Sequence, residues 1–485
     1  MSSLDELRET RIGKLKRLEK LGRNPYPVES KRDVSLADAV VDFEKLSKKK
    51  ILHLAGRVMA IRAQGGLVFF NITDGTATFQ ALLKKDDVDE KIFNDFMETV
   101  DVGDFVGVAG TLFVTKRGEK TLAVSVWTML AKSLRPLPEK WHGLTDEEER
   151  FRRRYLDILF NPDIKATIEK RAKFFSAIRT YLEKNGFMTV DTPVLENAAG
   201  GAEARPFLTH YNAYDTDVYL RISLELALKR LLVAGFPKIY EMGRVFRNEG
   251  ADAEHLQDYT LVEFYEAYSD YEHGMKFVED MYKYVAKETF GTLQFKIRGF
   301  EIDLGKKWET IDFVKLIKEK TGIDILSASE KDIEKKLRDL KVEYDKKGFN
   351  TNRGIDTLWK YCRRQIGGPA FLVGVPVMLE PLAKKSEKNP AVVERFQVIL
   401  AGSEMGKGFS ELNDPLDQRA RFEEQAKLRA AGDEEAQMMD EEFVEAMEYG
   451  MPPAFGFGFS ERLFSFLADL PARESQIFPF MRSKE

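Results

Sequence analysis

The densest group of polar and aromatic residues lies between Tyr240 and Tyr265 and contains arginine, glutamate, histidine and tyrosine. Arg247 and Glu249 are two residues apart, so in a strand they face the same side. The polar residues that follow are typical of a loop, and a second alternating strand begins near Tyr259. Such a hairpin can bind a nucleotide, with a guanidinium on a phosphate and an aromatic ring on the base. The alternative is a plain hairpin in which Arg247 and Glu249 form an ion pair.

Two common nucleotide-binding patterns are missing from the sequence. Residues 402–408 (GSEMGKG) resemble a phosphate-binding loop, but the segment is one residue short and lacks the Ser or Thr that would bind magnesium. No GxGxxG segment follows a strand and opens a helix, so a Rossmann site is not expected. The five histidines never occur at metal-ligand spacing, which argues against a zinc site.

The composition indicates a folded, cytoplasmic protein. Of the 485 residues, 43% are apolar and 32% are charged, which excludes a mostly disordered chain. The most apolar run, residues 371–379, is far shorter than the roughly twenty residues that span a membrane. The single cysteine, Cys362, cannot form an internal disulfide, and the charged N-terminus does not resemble a signal peptide. We therefore expect no membrane association.

The net charge of −5 hides an uneven distribution. Thirteen acidic and four basic residues lie between Glu411 and Glu448, whereas seven basic and two acidic residues lie between Arg8 and Arg23. The second of these segments has apolar residues at helical spacing and predicts a basic amphipathic helix. This helix and the arginine run at residues 150–154 are candidate surfaces for a nucleic-acid backbone, with a plain solvated surface as the alternative.

Residues 51–131 predict the elements of a small barrel. Three β-rich runs, a helical segment and two further β-rich runs follow one another, with glycine-containing turns between paired runs. This order is typical of an OB-fold, a partly open barrel that commonly binds single-stranded nucleic acid. A barrel that serves only protein contacts is the alternative.

The rest of the chain predicts a larger α+β domain. Helices and strands follow each other without a strict βαβ rhythm, which favours an antiparallel sheet with flanking helices over a doubly wound sheet. We predict a basic helical extension, an OB-fold domain, a proline-punctuated linker and a large C-terminal domain, at residues 1–50, 51–135, 136–164 and 165–485. A charged helical insertion is expected near residues 329–365.

Three segments resemble the class motifs of the class II aminoacyl-tRNA synthetases, and four more are similar to segments of lysyl-tRNA synthetases. The class motifs match residues 186–193 (GFMTVDTP), 246–250 (FRNEG) and 456–462 (GFGFSER). The lysyl-type segments are residues 135–138 (RPLP), 141–144 (WHGL), 200–207 (GGAEARPF) and 408–414 (GFSELND). The resemblance runs in unbroken order from about residue 51 to the C-terminus.

This resemblance implies an enzyme that activates L-lysine with ATP to lysyl-adenylate and transfers the lysyl group to tRNA(Lys). It implies that residues 165–485 are the catalytic domain, that the OB-fold binds the anticodon, and that Mg²⁺ accompanies ATP. It also implies a homodimer in the cytoplasm. Because no covalent enzyme intermediate forms in this reaction, catalysis is mainly positioning and charge neutralisation.

For ATP, the resemblance implies a set of charged and aromatic residues. Arg247 would neutralise the α-phosphate and the substrate carboxylate, a bidentate task that suits a guanidinium. Glu249 and Tyr259 would hold the adenine. His255 and Arg462 would contact the outer phosphates, with Arg462 acting as an electrostatic clamp.

For lysine, the resemblance implies an anionic pocket. Its residues would be Gly201, Glu225, Arg247, Glu263, Tyr265, Phe409 and Glu411. Glu263, Glu411 and Tyr265 would hold the ε-ammonium, because an unpaired buried cation costs several kcal/mol. Gly201 and Glu225 would hold the α-amino group, and the phenylalanine of the set would line the side-chain stem. Aspartyl and asparaginyl relatives need cations for their substrates, so the two glutamates argue against them.

In the barrel, the resemblance implies a site for the central uridine of the anticodon. Phe69 would stack on the base, while Arg62 and Gln80 would form hydrogen bonds to its edge. The alternative is that Phe69 belongs to the barrel core. The neighbouring Phe70 points to the opposite side of the strand, so only one of the two rings has to be buried.

Three features depart from the family pattern. The family binds magnesium with two glutamates seven residues apart, whereas Glu404 here is paired with Gln397, whose neutral amide can coordinate magnesium with less charge compensation. Lys407 replaces an asparagine, and it either pairs with a substrate carboxylate or phosphate or weakens lysine binding by repulsion. The third motif is one residue short, with Phe459 and Ser460 near its usual last glycine.

Other functions are compatible with parts of the pattern. A paralogue that has lost activity would bind tRNA without forming adenylate, although Arg247, Glu249 and Arg462 are all retained. An aspartyl- or asparaginyl-type synthetase would share the class motifs. A relative that lysylates a protein is disfavoured, because such relatives lack the anticodon barrel.

Overall fold

The computed structural model describes residues 3–138, 146–250, 256–346 and 349–483. The chain forms two compact units, Met1–Thr145 and Asp146–Glu485. Among the described residues, none of the helices is both long and apolar enough to cross a membrane.

The first unit contains a closed five-stranded barrel. Its helices are α1 (Leu4–Lys20), α2 (Leu36–Val41), α3 (Phe43–Leu46) and α4 (Glu90–Thr99). Its strands are β1 (Leu52–Gln64), β2 (Leu67–Thr73), β3 (Thr78–Lys84), β4 (Phe105–Val114) and β5 (Lys120–Ala131). The strand order is β1-β2-β3-β5-β4, with β3 and β5 parallel and the other pairs antiparallel. The predicted OB-fold is confirmed.

Buried and half-buried side chains alternate along the strands of this barrel. In β2, Val68, Phe70 and Ile72 are buried while the residues between them are only half-buried. The ring of Phe96 on α4 packs edge-on against that of Trp127 on β5, with the ring centroids 5.4 Å apart. Helix α4 therefore closes the barrel core with aromatic side chains.

The N-terminal helix α1 is basic, as predicted, but part of its charge is used within the first unit. Ser3 and Glu6 form a capping box at its start. The Nζ atom of Lys14 lies 2.6 Å from Asp101, and the guanidinium of Arg23 lies 4.5 Å from the ring centroid of Trp127. An ion pair from Lys14 therefore ties α1 to the rest of the first unit, and a cation–π contact from Arg23 does so just after the helix ends.

The second unit is built on a large sheet. Its helices are α5 (Glu147–Arg152), α6 (Arg154–Phe160), α7 (Pro162–Lys184), α8 (Glu225–Val233), α9 (Tyr271–Phe290), α10 (Phe313–Thr321), α11 (Glu330–Asp339), α12 (Thr351–Arg363), α13 (Pro415–Ala430), α14 (Glu441–Glu448) and α15 (Arg462–Leu467). Its strands are β6 (Met188–Thr189), β7 (Leu195–Glu196), β8 (Leu208–Tyr211), β9 (Thr216–Leu220), β10 (Lys238–Phe246), β11 (Asp258–Ala267), β12 (Gln294–Ile297), β13 (Phe300–Asp303), β14 (Glu309–Asp312), β15 (Ala370–Val373), β16 (Arg395–Leu400), β17 (Ser403–Ser410) and β18 (Ala454–Ser460).

Eight of these strands form one sheet in the order β14-β15-β16-β17-β18-β11-β10-β6. Only the end pairs β14–β15 and β10–β6 are parallel. The predicted antiparallel α+β architecture with flanking helices is therefore confirmed. Neighbouring residues of β11 show that both faces of the sheet are covered, because Phe264 packs with α7 and α9 while Tyr265 faces α8 and α12.

The arginine run that was expected to form a nucleic-acid surface is partly buried, so that expectation is wrong for Arg154. Its side chain is 1% exposed and lies 2.7 Å from Asp157. It also donates a hydrogen bond of 2.7 Å to the carbonyl oxygen of Glu474. Arg150 contacts the same aspartate at 3.1 Å. The run therefore mainly stabilises the start of the second unit.

The predicted helical insertion contains α11 and α12, and one face of each helix is buried. Ile333 and Leu337 on α11 pack with Ile355 and Leu358 on α12. Trp359 lies on the same buried face of α12, and its side chain lines a cavity of the second unit. The insertion thus contributes to the wall of that cavity.

Candidate active site

A cleft of about 590 Å³ opens on the face of the large sheet that is covered by α8 and α12. All seven predicted lysine-binding residues line it, and so do Glu249, Glu404, Gln397 and Lys407. Glu263 and Tyr265 project from β11, whereas Phe409 and Glu411 come from the end of β17. Residues that are nearly 150 positions apart in the sequence are therefore brought into one cavity.

Strand β18 lies between β11 and β17 and makes room for these side chains. Gly458 is paired with Glu263 on one side and with Lys407 on the other. A Cβ atom on Gly456 would lie 2.1 Å from Oε1 of Glu411 and 2.4 Å from the ring of Tyr265. Gly456 of the third motif is thus required by the space that the pocket side chains occupy.

Glu263 is held by neutral hydrogen-bond donors. Its Oε1 accepts a hydrogen bond of 2.7 Å from Ser223 Oγ and one of 3.2 Å from the backbone N–H of Leu224, and its Oε2 accepts one of 2.9 Å from Tyr265 OH. Burial raises the pKa of Glu263 to about 7, with the nearby Glu225 adding to the rise. The carboxyl group is thus fixed in position, and no cation among the described residues forms an ion pair with it.

Glu225 and Glu411 share one buried cation, Lys229. Its Nζ lies 2.6 Å from Oε1 of Glu225, four residues earlier on α8, and also forms an ion pair with Glu411. Burial raises the pKa of Glu411 to about 8 despite this lysine. Oε1 of Glu411 has no hydrogen-bond partner among the described residues. The cleft therefore offers a buried acceptor that is ready for a cationic group.

A second cavity of about 240 Å³ contains the predicted nucleotide-binding residues Glu249, Tyr259 and Arg462. It shares Arg247, Glu249 and Leu261 with the larger cleft. The guanidinium of Arg247 lies 5.6 Å from the ring centroid of Tyr259, and its Nε donates a hydrogen bond of 3.3 Å to the carbonyl oxygen of Ile222. Arg247 thus stands where the two cavities meet.

Two further predictions concern the ATP phosphates, through His255 and Arg462, and a third concerns the shortened third motif. His255 lies outside the described residues. The shortened third motif still brings Arg462 to the second cavity, where the hydroxyl of Ser460 accepts a hydrogen bond of 3.3 Å from the backbone N–H of Arg462. Phe459 is buried in the sheet core.

Lys407 pairs with Glu380, a carboxylate that also pairs with Arg395. Its Nζ lies 3.3 Å from Oε2 of Glu380, while Nε of Arg395 lies 3.0 Å from Oε1 of the same residue. Glu380 and Arg395 are both buried. Because Glu380 is shared with Arg395, the three side chains together keep one positive charge beside the cleft.

The two predicted magnesium ligands differ in their availability. The amide oxygen of Gln397 accepts a hydrogen bond of 2.5 Å from Arg395. Glu404 accepts one from the indole N–H of Trp359 and has a second carboxylate oxygen. In the parts of the chain that the structure describes, no three His, Cys, Asp or Glu side chains are grouped as metal ligands. Glu404 alone fits a magnesium ion that takes its other ligands from phosphates and water.

Comparisons with known proteins identify the family of this chain. The family model described as tRNA synthetases class II (D, K and N) matches residues 146–482, and an OB-fold nucleic acid binding domain matches residues 52–130. A lysine–tRNA ligase of Thermotoga maritima is 43% identical, over 99% of this chain and 97% of that protein. The chain belongs to the class II tRNA synthetases. Lysine–tRNA ligases of Thermosipho africanus and a Thermoanaerobacter species are 42% and 45% identical, each over 99% of this chain and over 96% and 97% of their own lengths.

The barrel of this synthetase presents the three predicted anticodon-binding residues on one outer face. Arg62 on β1 is directly opposite Phe69 on β2, and Gln80 on β3 is opposite Asn71, two residues from Phe69. Phe69 is half-buried, whereas Phe70 is 1% exposed in the core. Phe69 is therefore not the core member of this pair.

The sequence did not indicate four residues that line the synthetase cleft, Arg353, Trp359, Glu380 and Arg395. It also did not indicate Lys229, which pairs with the lining residues Glu225 and Glu411. The four-residue spacing of Glu225 and Lys229 can be read from the sequence. It did not predict a buried pair, because this spacing on a helix is typical of surface ion pairs. No local signal indicated Glu380, because its partners lie on distant strands.

Proposed function

We propose that the chain is a lysine–tRNA ligase, which activates L-lysine with ATP and transfers the lysyl group to tRNA(Lys). The observation that carries this proposal is the buried acidic end of the cleft, where Glu263 and Glu411 flank Tyr265 beside the glycines of β18. A cationic side chain suits this end, because an isolated buried carboxylate is strongly destabilising and a bound ammonium group compensates it. The curated relatives that match nearly the whole chain are named lysine–tRNA ligases.

Lysine would lie with its side chain along Phe409 and its ε-ammonium between Glu263 and Glu411. Its α-amino group would face Glu225 and the backbone of Gly201, whose positive φ of 81° and contact with Ser223 leave no room for a side chain. The substrate carboxylate would then lie toward Arg247. This orientation places the nucleophile at the junction of the two cavities.

ATP would occupy the second cavity and the junction. Arg247 would bind the α-phosphate and the lysine carboxylate together, which orients the carboxylate oxygen for in-line attack and offsets the growing negative charge. Tyr259 and Glu249 would hold the adenine, and Arg462 would stabilise the departing pyrophosphate. A terminal ribose hydroxyl of the tRNA would then take the lysyl group from the adenylate.

Magnesium would enter with ATP and be held by Glu404. When bound, the ion neutralises phosphate charge. Gln397 would contribute less, since its amide oxygen already accepts a hydrogen bond from Arg395. Lys407 lies on the strand next to Gln397 and is 45% exposed, so its ammonium is available to a phosphate.

The decisive experiment is amino-acid-dependent ATP–pyrophosphate exchange with all twenty amino acids. Lysine alone should support exchange. Exchange with aspartate or asparagine instead would show that the chain is a synthetase of that type. No exchange with any amino acid, at millimolar ATP and magnesium, would favour a tRNA-binding paralogue that makes no adenylate.

We infer that Arg62, Phe69 and Gln80 bind the anticodon. Replacing Phe69 with alanine should raise the KM for tRNA about tenfold or more, because stacking of a base on an aromatic ring contributes about 1–3 kcal/mol. Pyrophosphate exchange should stay within twofold, since it needs no tRNA. The matched control is Phe113→Ala, which removes another half-buried phenylalanine from the barrel. Loss of both activities in the Phe69 variant would mean that the ring is structural.

We also propose that the synthetase is a homodimer. The first class motif and the strand that follows it expose apolar side chains, with Met188 44% and Leu195 46% exposed. Exposed apolar groups of this kind are typical of surfaces that another chain covers. Light scattering at micromolar concentration should give about twice the chain mass of 55.6 kDa.

A further inference from the structure

A resident lysine contacts both ends of the proposed lysine pocket. Lys229 is fully buried, and its Nζ pairs with Glu225 at the end proposed for the α-amino group and with Glu411 at the end proposed for the ε-ammonium. The same Nζ lies 5.3 Å from the ring centroid of Phe409. One ammonium group of the protein therefore contacts two carboxylates that the substrate also needs.

We propose that Lys229 is a positioning residue that sets the charge of the pocket, so that two negative charges remain to match the two ammonium groups of lysine. This inference rests on the proposed function. Lys229 acts through Glu225 and Glu411 and does not itself react.

The charge count follows from the buried charged side chains of the proposed lysine pocket. Helix α8 contributes Glu225, strand β11 contributes Glu263, and the segment after β17 contributes Glu411. Tyr265 is a neutral donor to Glu263. Three carboxylates and one ammonium leave two negative charges, and the α- and ε-ammonium groups of bound lysine bring two positive ones. The substrate carboxylate faces Arg247, so the closed pocket is neutral.

Before lysine binds, protons compensate part of this charge. Burial raises the pKa of Glu263 to about 7 and that of Glu411 to about 8. Lysine binds to the ionised carboxylates, so its affinity should rise with pH through this range and level off above it. Lys229 opposes the rise in the pKa of Glu411. Removal of its charge should therefore raise that pKa further and leave more protons for lysine to displace.

The test is calorimetry of lysine binding to the wild type and to Lys229→Met. Titrations between pH 7 and pH 9, in two buffers with different ionisation enthalpies, give both the affinity and the number of protons released. The wild type should release roughly one proton at pH 7. In Lys229→Met the affinity should still rise steeply between pH 8 and pH 9, where that of the wild type levels off, and the Kd at pH 7 should rise about tenfold. A variant with the pH dependence and proton release of the wild type would overturn the inference, whatever its affinity.

Arg230→Met is the matched control on the same helix. Arg230 forms an ion pair of 2.8 Å with Asp440 and does not line the cleft. The Arg230→Met change removes one cation from α8, at a side chain that is 36% exposed. It should leave the number of protons released on lysine binding unchanged. If the wild type binds no lysine, the proposed function is wrong as well. If the wild type binds lysine and Lys229→Met has the same pH dependence and proton release, only the inference about Lys229 is wrong.

A second measurement keeps the inference testable if Lys229→Met does not fold. Norleucine has the α-ammonium of lysine but lacks the ε-ammonium. Binding of norleucine to the wild type at pH 7 should release about one proton fewer than binding of lysine. Equal proton release by the two ligands would contradict a pocket that is matched to two ammonium groups.

Discussion

Replacing Arg247 with alanine is expected to lower kcat/KM for lysine-dependent ATP–pyrophosphate exchange by roughly a thousandfold. Arg247 lies where the two cavities meet, so its guanidinium would bind the attacking carboxylate and the α-phosphate at the same time. Alanine removes both contacts and leaves the new negative charge of the transition state without compensation. Steady-state exchange at varied ATP and lysine measures the effect.

Two further variants define what Arg247 contributes. Arg247→Lys keeps the charge but loses the planar pair of donors, so it should recover only a small part of the activity. Arg244→Ala is the matched control, because Arg244 lies on β10 three residues before Arg247, pairs with Asp258 and lines neither cavity. An Arg247→Ala enzyme within tenfold of the wild type would contradict the proposed role.

Replacing Glu411 or Glu263 with glutamine is expected to raise the KM for lysine about a hundredfold. Glutamine keeps the shape of the side chain but removes the negative charge, and loss of one partner of a buried ion pair costs about 3 kcal/mol or more. The KM for ATP should change less than about threefold, since neither carboxylate lines the second cavity. Glu411→Gln should have the larger effect, because it also removes a partner of Lys229.

A buried glutamate on the same strand provides the control for these variants. Glu266 is 9% exposed, lies on β11 and pairs with Lys238 at 2.8 Å, outside the cleft. Glu266→Gln should change the KM for lysine little. Equal increases in the KM values for lysine and ATP in the Glu263 and Glu411 variants would reject their assignment to the ε-ammonium.

Local patterns were sufficient to predict both folds. Alternation such as that of Val68, Phe70 and Ile72 encodes a half-buried strand, and the turn glycines divide the barrel into its five strands. The missing βαβ rhythm indicated the antiparallel sheet. These signals work because each depends on residues a few positions apart.

The chemistry of the site was less accessible, because it depends on distant residues. The resemblance selected Glu263 and Glu411, and the structure places them in one cleft, but their roles stay predictions. Neither periodicity nor motif indicated that Lys229 crosses from α8 to Glu411, 182 positions later. Glu380 was missed for the same reason, since Arg395 and Lys407 reach it only after β16 and β17 have paired. Lys229 and Glu380 form ion pairs with their distant partners only because the fold buries these charged side chains together.

Strand β18 constrains how the pocket can change during evolution. Gly456 and Gly458 separate the two sides of the pocket, and even a methyl group at Gly456 would overlap the carboxylate of Glu411. Gly456 cannot widen or narrow the pocket gradually, because any side chain at this position begins with that overlap. A new substrate preference has to arise from the flanking strands or from α8, while β18 stays unchanged as a fixed partition.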